Sequence, residues 1–492
     1  MSRIQPLLLA DFYKTGHYKQ YPEGTQYVYS NFTPRTSRMA FVDHVVVFGI
    51  QYFIKEYLIK RFNKDFFNKK WEVIRAEYAD VMESSLGKNS VDLKHIKELH
   101  YLGFLPLQIK ALKEGTLCPI GVPLLTVVNT QPEFYWLTNY IETLLSVSLW
   151  FPITSATTAF EYKKILMEYA QKTSNNIDFV DYQAHDFSMR GQTSVESAMM
   201  SSAGHLTSFK GTDTIPSIQF LKKYYYAGAE DEYIGGSIPA TEHSVMCAGG
   251  EDNEEDTYRR LLTDVYPEGL VSIVSDTWDY WNLLTVTLKN MKSLIMSRNG
   301  KLVIRPDSGD PVKIICGDPL AEENTPERLG TIRILWDLFG GKVNEKGYKE
   351  LDSHIGCIYG DSITLDRCRK ICANLEEMGF SSTNVVFGVG SYTYQYVTRD
   401  TFGFAMKSTF AVINNTDHVI YKSPKTDNGT KFSAKGLLRV NEDMTLSENV
   451  TRDESYSGML KVVFWDGEMS NITTLSEIRK ELNAHIGFEK EA

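Results

Sequence analysis

The chain has 492 residues, 42% of them hydrophobic and 12% aromatic, enough for two or three domains with sizeable cores. Its 52 basic and 62 acidic residues leave a net charge of −10, which opposes general attraction to nucleic acid or to an anionic membrane surface, so any anion it binds must be held by a local site.

The opening stretch "MSRIQPLLLADFYK" offers only a four-residue apolar run before Asp11, too short for the core of a signal peptide, and no later segment reads as a membrane span; a cytoplasmic protein is expected. The first 150 residues mix short strands ("TQYVYSNF", "DHVVVFG") with helices ("IQYFIKEYLIKRF", "FYWLTNYIETLLSVSLW"), and "EGTLCPIGVPLLTVVNT" reads as a hairpin. The helical "SATTAFEYKKILMEYAQKT" leads into a second domain beginning near residue 150. There a short apolar or β-branched run ends repeatedly in polar residues: "YQAHDFSMRG", "TSFKGTDT", "GSIPATEHS", "LVSIVSDTWD", "KLVIRPDSG", "IGCIYGDS" and "NVVFGVGS". Helical patterns such as "PERLGTIRILWDLFG" and "LDRCRKICANLEEMG" lie between several of them, so the order strand, polar loop, helix predicts parallel β/α units whose loops converge on one face. From about residue 400 the pattern is mixed again, with the lysine-bearing loop "YKSPKTDNGTKFSAKG" and a closing helix, and this region is expected to fold back on the N-terminal part. The predicted class is therefore α/β: an irregular β/α barrel domain at 151–399 and a sheet-rich α+β domain built from 1–150 together with 400–492. Six cysteines with no C-x-x-C pair read as buried free thiols, and "GGEDNEEDTYRR" reads as a solvated loop and helix start.

The strand ends bring Arg190 and Arg305, with Arg399 just beyond, to one mouth. Three guanidiniums in a cleft imply a polyanionic ligand, because the planar fork matches phosphate oxygens, and "GVGS" at a strand-to-helix turn adds backbone donors. Asp186, Asp213, Glu242, Asp276, Asp279, Asp307 and Asp361 crowd the same mouth. Carboxylates beside phosphate-binding arginines can hold Mg²⁺ on a diphosphate, accept from ribose hydroxyls, or stabilise an oxocarbenium-like charge, needs that meet in phosphoribosyl pyrophosphate. There is no G-K-[ST], no full dinucleotide fingerprint and no H-E-x-x-H, so His185, His205 and His243 read first as hydrogen-bonded loop or core histidines.

The segments "DFYKTGHYKQYP", "HDFSMRG", "FKGTDT", "PATEHS", "VSDTWD", "IRPDSG" and "YGDS" resemble, in order from residue 11 to beyond 430, the nicotinamide phosphoribosyltransferases of the type II phosphoribosyltransferase family. The resemblance implies a homodimer with two active sites at the subunit interface, converting nicotinamide and phosphoribosyl pyrophosphate to nicotinamide mononucleotide and pyrophosphate in NAD salvage, with Mg²⁺ accompanying the diphosphate and ATP as a coupled co-substrate. It implies a nicotinamide ring stacked between Phe187 and the other subunit's copy of Tyr13, with Arg190 nearby and Asp213 accepting from the carboxamide, a carboxylate selecting amide over acid. It places Arg305 on phosphate, Asp307, Gly360 and Asp361 around the ribose and diphosphate, and Gly390 and Ser391 as backbone donors to the 5-phosphate. Arg399, Lys407, Lys422 and Lys431 approach phosphates from the second subunit. His243, preceded by Glu242 and oriented by Asp276, would carry phosphate from ATP. The chain departs from the family pattern at "GVGSYTY", where glycines are common, and at Gly360-Asp361-Ser362 in place of G-D-G; neither change removes a charge. The nearest rival within the fold is a nicotinate phosphoribosyltransferase, which Asp213 opposes. A catalytically inactive dimeric binding protein would have lost strand-end charges that are all present here, and an aldolase would rest on Lys210 alone.

Overall fold

The computed structural model describes residues 4–88, 92–228, 232–423 and 433–486, in two compact units. The first comprises Met1–Thr157, Leu221–Ala229 and Val397–Ala484, the second Thr158–Phe220, Glu230–Tyr396 and His485–Ala492. The change of domain expected between two helices near residue 150 falls inside a single helix, Glu142–Thr173. Pro152 removes one backbone donor from that helix, yet the helix runs on, its turn braced by the Thr154 hydroxyl donating to the Trp150 carbonyl and its sides buried. This helix is long and apolar enough to cross a membrane, which corrects the expectation that no segment approaches a span; 78% of its apolar window is buried inside the protein, as in a core helix.

In the first unit, Thr25–Thr33 is the pivotal strand of a seven-stranded antiparallel sheet, pairing on one side with Leu125–Asn129 and on the other with Ala405–Ile413. The C-terminal region thus folds back on the N-terminal strands, as Lys461–Trp465 also does by pairing with Leu107–Ala111. The hairpin read at "EGTLCPIGVPLLTVVNT" is absent: Leu117–Pro119 pairs with His44–Val46 in a separate small sheet, while Leu125–Asn129 returns to pair with Leu107–Ala111. The two apolar runs alternate toward different neighbours, and a sequence shows the runs but not the partners.

The second unit is built on six parallel strands in the order Gly211–Thr212, Ala184–Asp186, Val385–Val389, Ile355–Tyr359, Asn299–Arg305, Glu268–Val274. Their apolar residues, such as Val271, Ile273, Leu302, Ile304, Cys357 and Phe387, are fully buried, as parallel strands covered by helices require. The third unit of the sequence, "GSIPATEHS", forms no regular strand because Pro239 has no N–H to give a ladder. It instead makes single parallel bridges to both edges of the sheet, Gly236 to Gly211 and Ala240 to Ser272, and so joins the two edges into a ring. All seven loop ends leave this ring at the carboxyl ends of parallel strands, hence on one face. Around it, Leu365–Glu377 buries Cys368, Ile371, Cys372 and Leu375, a one-face spacing of i, i+3, i+4, i+7. The single helix expected at "PERLGTIRILWDLFG" is broken in two at Gly330, whose φ is 75°. All six cysteines are free; five are buried and Cys247 is exposed.

Candidate active site

The buried run Leu302–Ile304 ends in Arg305, only 9% exposed, whose guanidinium donates to the Thr241 carbonyl and whose Nε lies 3.5 Å from Asp307 Oδ1. Asp276, at the end of the adjacent strand, accepts from the backbone N–H groups of Asp307 at 2.9 Å and Ser308 at 2.7 Å and from the Ser308 hydroxyl. One carboxylate therefore stitches the polar turn to the next strand end. Burial pushes the Asp307 carboxyl up, Asp276 and Asp361 add to the shift, and the charges of Arg305 and His243 only partly offset it. Asp276 Oδ1 and Asp307 Oδ1 are buried without a hydrogen-bond partner, an arrangement that leaves acceptors ready for a cation or a hydroxyl. Gly360 is required beside them, since a Cβ there would lie 1.7 Å from Asp307 Oδ1. Asp361 is exposed and turns one oxygen to the Ser362 N–H at 2.7 Å; Ser362, where the family pattern has glycine, adopts φ 61°. Asp276, Trp278, Trp281 and Ser308 wall an open groove of about 500 Å³, within the size range of small-molecule sites. The run "GGEDNEEDTYRR" borders it and is less solvated than the sequence reading had it: Glu254 is half-buried, and burial with the nearby Asp279 and Glu251 pushes it up to about 7.

A second corner forms where Ala184–Asp186 and Gly211–Thr212 end. Asp186, expected at the mouth, is fully buried and points into the protein, accepting from the Ser188 N–H and hydroxyl and from the hydroxyls of Thr212 and Thr214. It ties together the two loops that display Phe187 and Asp213. Asp213 is exposed, and its Oδ1 accepts from His185 Nε2 at 2.9 Å. Burial pushes the Asp213 carboxyl up, but hydrogen bonds from His185 and Ser237 and the Arg305 charge outweigh it, and it lies below the ordinary carboxylate range. Arg190 is exposed on the short Met189–Gly191 turn. His205 is a core histidine, bonded to the Tyr394 hydroxyl and the Gly211 carbonyl, and Lys210 pairs with Asp181 at 2.9 Å, so it is not placed as a Schiff-base lysine would be.

His243 opens the helix His243–Gly249 with Glu242 before it. Its Nδ1 lies 3.2 Å from the Thr277 hydroxyl, and its Nε2 faces Asp276 at 3.8 Å and Asp307 at 3.9 Å. The hydrogen bonds of Asp276 go to the 307–308 turn, so in this state Thr277, not Asp276, is the direct partner of the imidazole. Glu242 accepts from the Ser244 hydroxyl and stays exposed. Gly390 precedes the one-turn helix Ser391–Gln395, and the Ser391 side chain packs against Gly191.

The remaining sequence candidates belong to the first unit. Tyr13 is 61% exposed on Phe12–Gly16, its ring edge-on to His17 at 5.2 Å. Lys407 lies on Ala405–Ile413, where burial holds its ammonium below the usual range; Glu142 opposes this, and Arg35, Lys422 and Arg399 push the same way. Arg35, Arg399 and Lys422 thus each lie within electrostatic reach of Lys407. Arg35 was not singled out in the sequence, because "TPRTS" carries no periodicity or motif. Lys431 lies outside the described residues.

Residues 182–468 match the sequence model of the nicotinate phosphoribosyltransferase (NAPRTase) family, and residues 5–109 that of the nicotinamide phosphoribosyltransferase N-terminal domain. The chain is 51% identical to a nicotinamide phosphoribosyltransferase of Acinetobacter baylyi, covering 98% of this chain and 97% of that protein. The chain belongs to the nicotinamide phosphoribosyltransferase family. A relative of the same name from Mycoplasma pneumoniae is 35% identical over 89% of this chain and 98% of its own length. Among solved structures, nicotinate-nucleotide pyrophosphorylase of Pyrococcus furiosus superposes with a TM-score of 0.56 at 14% identity, covering 99% of this chain and 97% of that one. Human nicotinic acid phosphoribosyltransferase gives 0.54, also at 14% identity, over 96% and 93%. These two likenesses speak for the fold alone, the irregular ring with its sheet-rich companion.

Proposed function

We propose that the protein transfers the phosphoribosyl group of phosphoribosyl pyrophosphate to nicotinamide, giving nicotinamide mononucleotide and pyrophosphate for NAD biosynthesis. The observation that carries the reading is an exposed Asp213 carboxylate and the Phe187 ring, each beside His185 at one corner of the strand ends, with Arg305, Asp307 and Asp361 at the next. Asp213 accepts from the carboxamide N–H₂ and repels a carboxylate in its place, while Phe187 takes one face of the ring. The pyridine nitrogen then attacks C1 of the ribose, the C1–O bond to pyrophosphate breaks, and the bonding pair leaves on the pyrophosphate oxygen. Positive charge grows on the sugar, and Asp307 and Asp361 stabilise it; Arg305 takes negative charge on the phosphate side.

Mg²⁺ fits as a partner of the diphosphate and not as a resident of a protein cage. Among the described residues no group of three ligating side chains forms, whereas Asp276 and Asp307 each keep a buried oxygen without a hydrogen-bond partner, the donor set of an ion that brings its own phosphates and water. Asp276 and Asp307 would hold Mg²⁺ there, and the ion would supply positive charge against the pyrophosphate. ATP acts through His243, whose half-exposed ring stands between the Thr277 hydroxyl and two carboxylates. The working form is a cytoplasmic homodimer in which Tyr13, Arg399, Lys407, Lys422 and Lys431 serve the other chain's strand-end site. Supporting this are the exposure of Tyr13 and the clustering of cations in the first unit.

The test supplies the protein with phosphoribosyl pyrophosphate and Mg²⁺ plus either nicotinamide or nicotinate, with and without ATP, and separates the products. Nicotinamide mononucleotide should form and nicotinate should be a poor substrate; preferential use of nicotinate overturns the reading. His243→Ala should keep basal synthesis within about tenfold and lose stimulation by ATP, and stimulation that persists removes the histidine from that role.

A further inference from the structure

His185 touches both groups assigned to the base and is itself assigned nothing. On a strand, side chains two apart share a face, so His185 and Phe187 lie on the same side of Ala184–Asp186. In the neighbouring strands the residues in register with His185 are Gly211 and Gly388, and Asp213 stands two positions beyond Gly211. The imidazole occupies the room that Gly211 leaves: a Cβ on Gly211 would lie 2.7 Å from His185 Nδ1. Leaning across that strand, the ring brings Nε2 to 2.9 Å from Asp213 Oδ1 and sets its own centroid 4.5 Å from that of Phe187. His185 is buried while Asp213 is exposed, so the contact fixes Oδ1 from behind while the carboxylate, which the Ser237 hydroxyl also approaches, stays open to solvent.

We infer that His185 is a positioning residue for base selection, donating Nε2–H to Asp213 so that the carboxylate stays ionised and aimed at the carboxamide, while its ring backs Phe187. The inference rests on the proposed roles of Asp213 and Phe187. Because the partner is an acceptor, the proton belongs on Nε2, and the hydrogen bond contributes to holding the Asp213 carboxyl below its ordinary range. Without it the carboxylate would lose its orientation, and discrimination between amide and acid would narrow.

His185→Phe keeps an aromatic ring and removes the donor, whereas His185→Gln restores an N–H near the position of Nε2. In the Phe variant the KM for nicotinamide should rise about tenfold with kcat changed less than about threefold, and the ratio of kcat/KM for nicotinamide over nicotinate should fall about tenfold; the Gln variant should stay within about threefold of wild type on both. A role in structure alone would lower the melting temperature without moving that ratio or being rescued by Gln. In the wild-type protein, nitrogen-15 histidine spectra should show His185 as the Nε2–H tautomer, with a resonance that moves in Asp213→Asn, a readout independent of whether the Phe variant folds. An Nδ1–H tautomer, or an unchanged substrate ratio in a folded His185→Phe protein, overturns the inference. Asp213→Asn separates the two levels: if it leaves the ratio unmoved the base-pocket reading itself fails, and if it moves the ratio while His185→Phe does not, only the role of His185 fails.

Discussion

Replacing Gly360 by alanine adds one methyl group to the end of Ile355–Tyr359, and its consequence can be worked out from three distances. The new Cβ would lie 1.7 Å from Asp307 Oδ1, 2.8 Å from its Cγ and 3.4 Å from Arg305 Cδ. A carbon and an oxygen in contact stand roughly 3.2 Å apart, so the carboxylate must move by about 1.5 Å, a shift that a rotamer change can provide and a small backbone adjustment cannot. Rotation takes Oδ1 away from Arg305 Nε, now 3.5 Å distant, and Oδ2 away from His243, now 3.9 Å. The φ of Gly360 is not among the positive values, so alanine suits the backbone itself. Both contacting atoms, Arg305 Nε and Asp307 Oδ1, are buried, so pulling them apart also costs some stability, which the melting curve reads separately from the rate. Displacement of a reacting-site group by an ångström or more costs about a hundredfold in rate. The assay is kcat/KM for phosphoribosyl pyrophosphate at saturating nicotinamide, with a melting curve alongside. Gly356→Ala is the control on the same strand, since its Cβ meets the flexible Lys301 side chain at 3.3 Å and Val303 Cγ2 at an ordinary 3.7 Å, and should cost less than about twofold. A Gly360→Ala enzyme within threefold of wild type would refute the claim that the Asp307 position matters to the reaction.

Two further outcomes concern stability. Ser362 holds φ 61° without being glycine, so the β-branched Ser362→Val should lose about 1–2 kcal/mol in urea unfolding and Ser362→Gly should lose nothing; equal stability of the two would show that the turn relaxes freely. Burial lowers the His95 pKa to about 4, with Asp92 partly opposing, and His205 shifts in the same direction inside the core. The unfolded chain takes up these protons near pH 6.5 and the folded chain resists until about 4, so the contribution is fully present above 6.5 and declines as pH falls, by about 3 kcal/mol for His95 at pH 4 and below. His95→Phe, which keeps a ring against Tyr18, should remove about 2 kcal/mol of the stability difference between pH 7 and pH 4.5, and an unchanged difference would exclude His95 as a source of acid lability.

What the sequence made legible was local chemistry repeated in a pattern. Seven apolar runs ending in polar residues predicted seven strand ends on one face, and six of them form the parallel strands while the remaining one closes the ring by single bridges. What it did not carry was pairing. The run around Leu117–Pro119 and the run at Leu125–Asn129 are equally apolar, and only the fold assigns the first to His44–Val46 and the second to Leu107–Ala111. The same limit hid the supports of the site. Asp186 and Asp213 are both acids just after short strands, yet one is sealed beneath four donors and the other is exposed, a difference set by Ser188, Thr212 and Thr214 arriving from separate segments. His185 looked like any core histidine because Gly211, which makes room for its ring, is distant in sequence and adjacent only in the sheet.

The proposal that each site draws on two chains makes a quantitative prediction. Tyr13 belongs to the first unit and Asp307 to the second, and in the proposed dimer Tyr13 serves the strand-end site of the other chain. Tyr13→Ala removes one aromatic face of the base and Asp307→Ala removes a carboxylate at the sugar, so each homodimer should be nearly inactive. When the two variants are mixed, a dimer with one chain of each has one site carrying both lesions and one carrying neither. Random exchange of equal amounts puts about half of all dimers in this mixed form, and each mixed dimer has one of its two sites intact, so about a quarter of wild-type activity should return. The recovery must also depend on exchange: a mixture assayed before subunits can redistribute should show only the background of its parents, and activity should grow with the rate at which dimers dissociate. Both changes placed in a single chain and mixed with wild type behave differently, because each mixed dimer then has two sites with one lesion apiece and none intact. That mixture should keep about a quarter of wild-type activity, all of it from wild-type homodimers; about half from that mixture and background from the first would mean that Tyr13 and Asp307 of the same chain build each site, and the shared-site arrangement would be wrong.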